Sequence, residues 1–275
     1  MPLNLSVALE FASHSDPGRV RPRNEDSVLL DPALGLAVLA DGMGGYNAGE
    51  VASGMAATLI GEGLAHAFAE RGPADHDADG QDLAHAVFKR EIARANEAIL
   101  QAAQSQPQNA GMGTTLVAVL FRDDKVTVAH IGDSRLYRLR GEKFQQITRD
   151  HSLLQEQLDN GMITPEEARY SQNKNLLTRA LGVDPTVEAE VHDHDAKPGD
   201  LFLLCSDGLN DMVEDAEIAS ILTEYAPALD LCAGRLVDYA NDCGGRDNVS
   251  VILVKVREAF PEPRNWWARL RAWFK

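Results

Sequence analysis

Residues 3–12 place apolar side chains at alternating positions, the pattern of a strand with one buried face. A polar turn follows, and then two short apolar runs at 27–31 and 34–41, joined through Pro32 and Ala33, read as a hairpin. From Ala48 to about Glu70 the spacing becomes helical, with Val51, Met55, Thr58, Leu59 and Leu64 among many small residues. Such a composition lets a helix pack closely on a sheet. A solvated loop over 71–82 leads into a second helix from Leu83 to Ala103, apolar at Leu83, Val87, Ile92, Ala95 and Ile99. Four strands with short turns then suggest an antiparallel meander up to about Thr148. A polar insertion over about 150–181 contains a helix start at Thr164-Pro165-Glu166-Glu167. Strands return at 186–195 and 199–207, helices at 214–223 and 228–242, and a last strand over 248–256.

Antiparallel strands with helices in blocks predict an α+β fold, most simply two stacked antiparallel sheets flanked outside by helix pairs, a four-layer αββα sandwich. No repeat or Pro/Ser-rich linker divides the 275 residues, so one domain over 1–258 is the economical reading, with a separate tail over 259–275. In that tail Trp266, Leu270, Trp273 and Phe274 follow helical spacing beside Arg269, Arg271 and Lys275. Over 260–275 four bases face the single acid Glu262, a net +3. Such a basic amphipathic segment would either dock on its own acidic body or touch an anionic membrane surface or a protein partner.

Charge narrows the chemistry. The chain holds 26 Lys and Arg against 42 Asp and Glu, a net −16, which repels phosphate backbones and argues against nucleic acid as a partner. Cys205, Cys232 and Cys243 are too widely spaced for a zinc site and read as reduced thiols. The first residues carry no basic, apolar leader and no run reaches the length of a membrane span, so the expected location is cytoplasmic.

Four aspartates stand at strand ends beside glycine: Asp41 before Gly42, Asp133 after Gly132, Asp207 before Gly208, and Asp247 after Gly244-Gly245-Arg246. One such Asp is ordinarily a turn residue. Four of them capping strongly apolar strands of one sandwich would gather at a rim, where clustered carboxylates require protons or cations. Oxygen-only ligands favour Mg²⁺ or Mn²⁺, and two such ions about 4 Å apart form a phosphoryl-transfer site.

The segments Arg21-Pro22-Arg23-Asn24-Glu25-Asp26, Asp41-Gly42-Met43-Gly44-Gly45, Gly113-Thr114-Thr115, Gly132-Asp133-Ser134-Arg135, Ser206-Asp207-Gly208 and Arg246-Asp247-Asn248 occur in one order over about residues 5–256. Together they resemble the motifs of the metal-dependent 2C-type (PPM) protein serine/threonine phosphatases, in their compact bacterial form. The resemblance implies hydrolysis of phosphoserine and phosphothreonine by metal-activated water, with phosphoprotein substrates and a cognate Ser/Thr protein kinase to oppose. It implies that Asp41 bridges two Mn²⁺ or Mg²⁺ ions, with the Gly42 carbonyl and Glu25 on the second and Asp207 and Asp247 on the first. Asp133, with Asp207, would form a third, weaker site. Arg21 would clamp the phosphoryl group, Asp26 would support the ligands by hydrogen bonds, and Asn248 would stand behind them. Where some eukaryotic members place a histidine, this chain has Met43, so the resemblance leaves the acid for the leaving group unassigned. The insertion over 150–181 resembles the family's flap. Two other readings stay open from sequence: an inactive pseudophosphatase serving as a binding module, and a two-metal hydrolase of small phosphate esters.

Three further motifs invite chemistry and are set aside. Asp75, Asp77, Asp79 and Gly80 open like a calcium loop, but its twelfth position is Ala86. His192-Asp193-His194-Asp195 would turn only its two histidines to one face of a strand, which reads as a solvent-facing edge. His151 reads as a locally packed residue.

Overall fold

The structure, a computed structural model, describes residues 5–45, 48–69, 82–168 and 176–261. The motif at Asp75–Gly80, the Trp-rich tail beyond residue 261 and part of the insertion therefore lie outside the described residues. In chain order these form β1 (Leu9–Asp16), β2 (Asp26–Asp31), β3 (Leu36–Met43), α1 (Ala48–Phe68), α2 (Leu83–Ser105), β4 (Gly113–Thr114), β5 (Leu116–Arg122), β6 (Lys125–Ile131), β7 (Arg135–Arg140) and β8 (Lys143–Gln146). Then come α3 (Leu153–Asp159), α4 (Pro165–Ala168), β9 (Glu190–Asp195), β10 (Leu201–Cys205), α5 (Asp207–Asn210), α6 (Asp215–Tyr225), α7 (Leu229–Asp242) and β11 (Val249–Val256). One antiparallel sheet runs β1-β11-β10-β7-β8 and the other β2-β3-β5-β6-β9, with β4 paired to the end of β3.

Three apolar layers hold the sandwich. Leu39, Val117, Phe121, Phe202, Leu204 and Ile252 fill the space between the sheets, where the Phe121 and Phe202 rings meet edge-on at 5.3 Å. The alternate residues of the same strands face outward: Val38, Ala118 and Leu120 pack under Ile60, Leu64 and Ile92 of α1 and α2. On the other side Leu203, Leu253 and Tyr137 pack under Ile218, Leu222 and Leu236 of α6 and α7. Central strands covered on both faces have no polar face to show. Hence β3, β5 and β10 read as unbroken apolar runs. The small residues of α1 serve as expected: a Cβ on Gly61 would lie 2.7 Å from Leu29 Cδ1, so the helix sits directly on β2.

The expected meander is split. β5 and β6 belong to one sheet and β7 and β8 to the other, and the chain crosses between them at Gly132-Asp133-Ser134. Gly132 takes φ +97°, and a Cβ there would lie 2.7 Å from Thr115 Cγ2. Alternation along a strand encodes its faces, not which sheet it joins. The first strand also starts later than its pattern suggests, at Leu9 and not at residue 3. Residues 5–8 form a turn, with Ala8 N and Leu9 N donating to Leu5 O at 3.0 and 2.9 Å, while Leu5 enters the inter-sheet core. The strand at 186–195 is likewise shorter, beginning at Glu190.

The insertion follows its capping signals. Ser152 Oγ accepts from Gln155 N at 3.2 Å at the start of α3. Thr164 and Glu167 form a reciprocal box, Glu167 N to Thr164 Oγ1 at 3.2 Å and Thr164 N to Glu167 Oε2 at 2.8 Å. No residue of α3 is buried, yet the root is tied to the body through Thr178 N to His151 O, and Leu181 N to Thr114 O.

Candidate active site

Each sheet crossing and strand end carries its acid to the same rim. Asp41 lies near the end of β3, Asp133 at the crossing from β6 to β7, Asp207 after β10 at the start of α5, and Asp247 just before β11. These four, with Arg21, Glu25, Gly42, Met43, Leu177 and Asn248 among others, line one cleft of about 190 Å³. Asp26 lies beneath it, directly opposite Asp41 in the β2–β3 register. The sequence-predicted site residues are therefore brought together.

Backbone contacts fix this arrangement. Asp41 N donates to Thr115 Oγ1 at 3.0 Å, and Asp41 O accepts from Thr114 Oγ1 at 2.8 Å and Thr115 N at 2.9 Å. Gly42 N donates to Glu25 O at 3.1 Å, and Ser53 Oγ donates to the same carbonyl at 2.6 Å. Gly42 and Gly49 touch backbone to backbone: a Cβ on Gly42 would stand 2.2 Å from Gly49 O, and one on Gly49 would stand 2.8 Å from the Glu25 carboxyl carbon. Asn248 joins the remaining segments. Its Oδ1 accepts from Glu25 N at 2.8 Å, and its Nδ2 donates to Pro17 O at 3.0 Å and Arg23 O at 2.7 Å.

The cleft is overcharged. Burial, and then the charges of Asp26, Asp207, Asp133 and Asp247, push the Asp41 carboxyl well above its ordinary range. Burial and the charges of Asp133, Asp211 and Asp247 do the same to Asp207. Burial, with Asp150 and Asp211 adding repulsion, raises Asp133 to about 7. Burial of its carboxyl raises Asp26 to about 6 despite the hydroxyls around it. Ser206 Oγ donates to its Oδ2 at 2.8 Å, whereas its Oδ1 is buried without a hydrogen-bond partner. Burial also raises Glu25, with Arg21 opposing. Among the described residues that line the cleft, Arg21 is the one base, and it donates to Asp247 Oδ2 at 2.7 Å. An all-oxygen donor set, a deficit of positive charge and an orphaned buried carboxylate oxygen fit hard divalent cations.

Two other clusters among the described residues bring three ligand atoms within 4.8 Å of one another, and neither suits a cation. The rings of His130 and His151 are stacked at 4.7 Å and 23°, so their in-plane lone pairs cannot converge on one ion. His151 Nδ1 accepts from Gly132 N at 3.2 Å and so leaves Nε2 as the donor to Glu190. His151 is thus a buried local contact, outside the cleft lining. In the second cluster the place of a cation is taken by Arg122, whose Nη2 reaches Asp82 at 2.7 Å and Asp193 at 2.8 Å, while His85 Nε2 meets Asp193 at 2.9 Å. β9 is an edge strand with His192 exposed, but Asp193 is drawn inward by this network.

Residues 19–238 match the family model of protein phosphatase 2C. The chain belongs to the protein phosphatase 2C family. It is 41% identical over 255 residues to the serine/threonine protein phosphatase PstP of Mycobacterium tuberculosis (strain H37Rv), a match spanning 92% of this chain and 46% of PstP. It thus spans about half the length of that relative. It is 36% identical over 253 residues to the protein phosphatase PhpP of Streptococcus pneumoniae serotype 2, covering 91% of this chain and 98% of PhpP. A crystal structure of the PstP catalytic domain in complex with 2 manganese ions superimposes with a TM-score of 0.77 at 40% identity, over 91% of this chain and 99% of that one. The two-sheet, helix-flanked architecture of this chain is that of the 2C family.

Several contributors had little or no signal in the sequence. Ser53, Gly49 and Ser206 shape the site through backbone and hydroxyl contacts that no spacing rule marks. Asp211 adds its charge to Asp133 and Asp207. Its position four residues after Asp207, at a helix start, was the available clue. Asp150, which presses on Asp133, is held by a forked contact from Arg135, Nε to Oδ1 at 2.9 Å and Nη2 to Oδ2 at 2.7 Å.

Proposed function

We propose that this chain is a metal-dependent protein serine/threonine phosphatase, hydrolysing phosphoserine and phosphothreonine in proteins phosphorylated by a cognate kinase. The observation that carries this reading is the gathering of Asp41, Asp133, Asp207 and Asp247 around a cleft whose one base, among the described residues, is Arg21. In this proposal Asp41, Asp207, Asp247, Glu25 and the Gly42 carbonyl hold two Mn²⁺ or Mg²⁺ ions, and Asp133 shares a third, weaker site with Asp207. When bound, such cations acidify water to a nucleophile near neutral pH and neutralise charge on the phosphoryl oxygens.

The remaining work falls to the chain itself. Arg21 is half exposed and reaches the cleft from a loop, so its forked donors can take two phosphoryl oxygens and set phosphorus in line for attack. Asp26 and Asn248 keep the carboxylates and loops in register from behind. Met43 and Leu177 supply apolar wall beside the reacting group. Residues 1–258 form the catalytic domain in this reading, with the tail from 259 as an attachment to a membrane surface or a protein. In this reading the site of action is the cytoplasm. No described helix is long and apolar enough to cross a membrane.

The test is hydrolysis of a phosphopeptide, an aryl phosphate and a bis-aryl phosphate with added Mn²⁺ and again with chelator. Cation-dependent turnover of the first two supports the proposal. Preference for small esters with no action on phosphopeptide points to a small-ester hydrolase, and silence on all three with retained Mn²⁺ binding to a pseudophosphatase.

A further inference from the structure

Two exposed arginines adjoin residues that line the cleft, without a part in holding cations. Arg19 belongs to the loop that carries Arg21 and Arg23, and Arg246 immediately precedes Asp247. The two loops are locked together. Arg19 N donates to Gly245 O at 2.7 Å, and a Cβ on Gly18 would stand 2.3 Å from Asp247 O. The Asn248 amide grips Pro17 O and Arg23 O at either end of the arginine loop. Both side chains come to the same turn. A Cβ on Gly245 would lie 2.8 Å from Arg19 Cγ, and one on Gly244 would lie 3.9 Å from Arg246 Cγ.

Neither charge is firmly spent. Arg19, 55% exposed, reaches Asp16 Oδ1 only at 3.4 Å, and that oxygen already accepts from Gly18 N at 2.9 Å and Asn241 Nδ2 at 3.0 Å. Arg246 is exposed and makes no ion pair among the described residues. On a chain of net −16, Arg19, Arg21, Arg23 and Arg246 concentrate four bases on the two locked loops. The cleft lining also includes the apolar Met43 and Leu177.

We infer that Arg19 and Arg246 select substrate segments bearing a second anionic group, carboxylate or phosphate, close to the phosphorylated side chain. This rests on the phosphatase reading and adds the kind of segment it acts on. Arg19 stands two residues from Arg21, at most about 7 Å along the chain, so with Arg21 on the phosphoryl group the second anion falls within about three substrate residues. The loop is pinned before any substrate arrives, so little ordering opposes the contact. Elsewhere the acidic surface repels such a segment, which favours this one orientation.

The experiment compares the wild-type chain with the double variant Arg19→Ala, Arg246→Ala. Substrates are phosphothreonine peptides carrying Glu, Lys or a non-hydrolysable phosphonate two or three residues to either side, with an aryl phosphate as reference. The wild type is expected to favour the anionic peptides over the Lys peptides by about fivefold in kcat/KM, the scale of an exposed charge pair, and less at high salt. The double variant is expected to lose that preference while turning over the aryl phosphate within about twofold of wild type. The Glu and phosphonate arms tell which anion is read. A wild type indifferent to flanking charge overturns the inference, and so does a preference that survives in the double variant. Loss of binding to anionic vesicles in the double variant, with no effect on peptides, reassigns the patch to a membrane and also overturns it. Absence of turnover on every substrate would instead sink the phosphatase reading.

Discussion

The Arg21 guanidinium rests on the Asp247 carboxylate, Nη2 to Oδ2 at 2.7 Å, across 226 residues of chain. The one base among the described residues lining the cleft thus neutralises one of the acids proposed to hold a cation. With Arg21 53% and Asp247 31% exposed, such a pair contributes at most about 1 kcal/mol, so the arginine is released cheaply when a cation takes its place.

Arg21→Ala is therefore expected to leave thermal stability nearly unchanged and to lower kcat/KM on phosphopeptides on the order of a hundredfold. Arg21→Lys should recover only part, because a point charge cannot match a forked donor. Steady-state kinetics alongside a thermal melt checks this; full activity in the alanine variant would remove Arg21 from the reaction.

The cleft acids predict how stability depends on pH when cations are stripped away. Asp26 rises from 3.8 to about 6 and Asp133 from 3.8 to about 7. A carboxyl raised in the folded state contributes stability below its unfolded pKa and loses it as pH climbs through the folded one. In chelator the cleft should thus weaken the fold progressively between about pH 4 and 7, by about 3 kcal/mol for the Asp26 shift alone. His130 and His151, both lowered by burial, act with the opposite sign, losing stability as pH falls. Asp41→Asn keeps the histidines and removes one repelling charge. In chelator it should melt above wild type by a margin that widens from pH 5 to pH 8, and Mn²⁺ should raise its melting temperature less than that of wild type. A variant no more stable than wild type at pH 8 would mean that the cleft is not strained by charge.

The sequence carried much of this because strand ends announce themselves: an apolar run closing on Asp beside Gly marks Asp41, Asp133 and Asp207 without any structure. What it did not carry was the choice of sheet. Leu116–Arg122 is apolar almost throughout and Arg135–Arg140 is interrupted by arginine, but neither pattern names a sheet, and the two lie in different sheets because the chain crosses at Gly132-Asp133-Ser134. The partners of the acids were also hidden. Ser53 and Ser206 act through single hydroxyls, and Gly49 acts by having no side chain to obstruct Glu25. Such residues become visible only when segments far apart in sequence are placed side by side.

Two glycine substitutions separate close approach from chain flexibility. In Gly42→Ala the new methyl would stand 2.2 Å from Gly49 O and 2.5 Å from Glu25 O, both backbone atoms that cannot step aside. The expected cost exceeds about 3 kcal/mol. In Gly54→Ala, on α1, the nearest atom would be Ser27 Oγ at 3.8 Å, and the helix should gain about 0.5–1 kcal/mol. Denaturant melts of the pair check both signs. Equal effects would refute the steric account of the β3–α1 junction.

Asn248 offers the sharpest test of how the two loops are held. Its side chain serves Glu25 N, Pro17 O and Arg23 O, while its own N–H caps Asp247 Oδ1 at 2.9 Å. Asn248→Ala should cost about 2–3 kcal/mol, since three buried or half-buried polar groups lose their partners. Asn248→Asp retains an acceptor for Glu25 N but no donor for the two carbonyls, and it adds a negative charge to a cleft already short of positive ones. It should therefore be at least as unstable as the alanine variant in chelator, yet recover more with Mn²⁺ because the added charge favours the cation. If Asn248→Ala melts with wild type, the amide is a bystander, and the arginine loop must be held by the Arg19–Gly245 backbone contact alone.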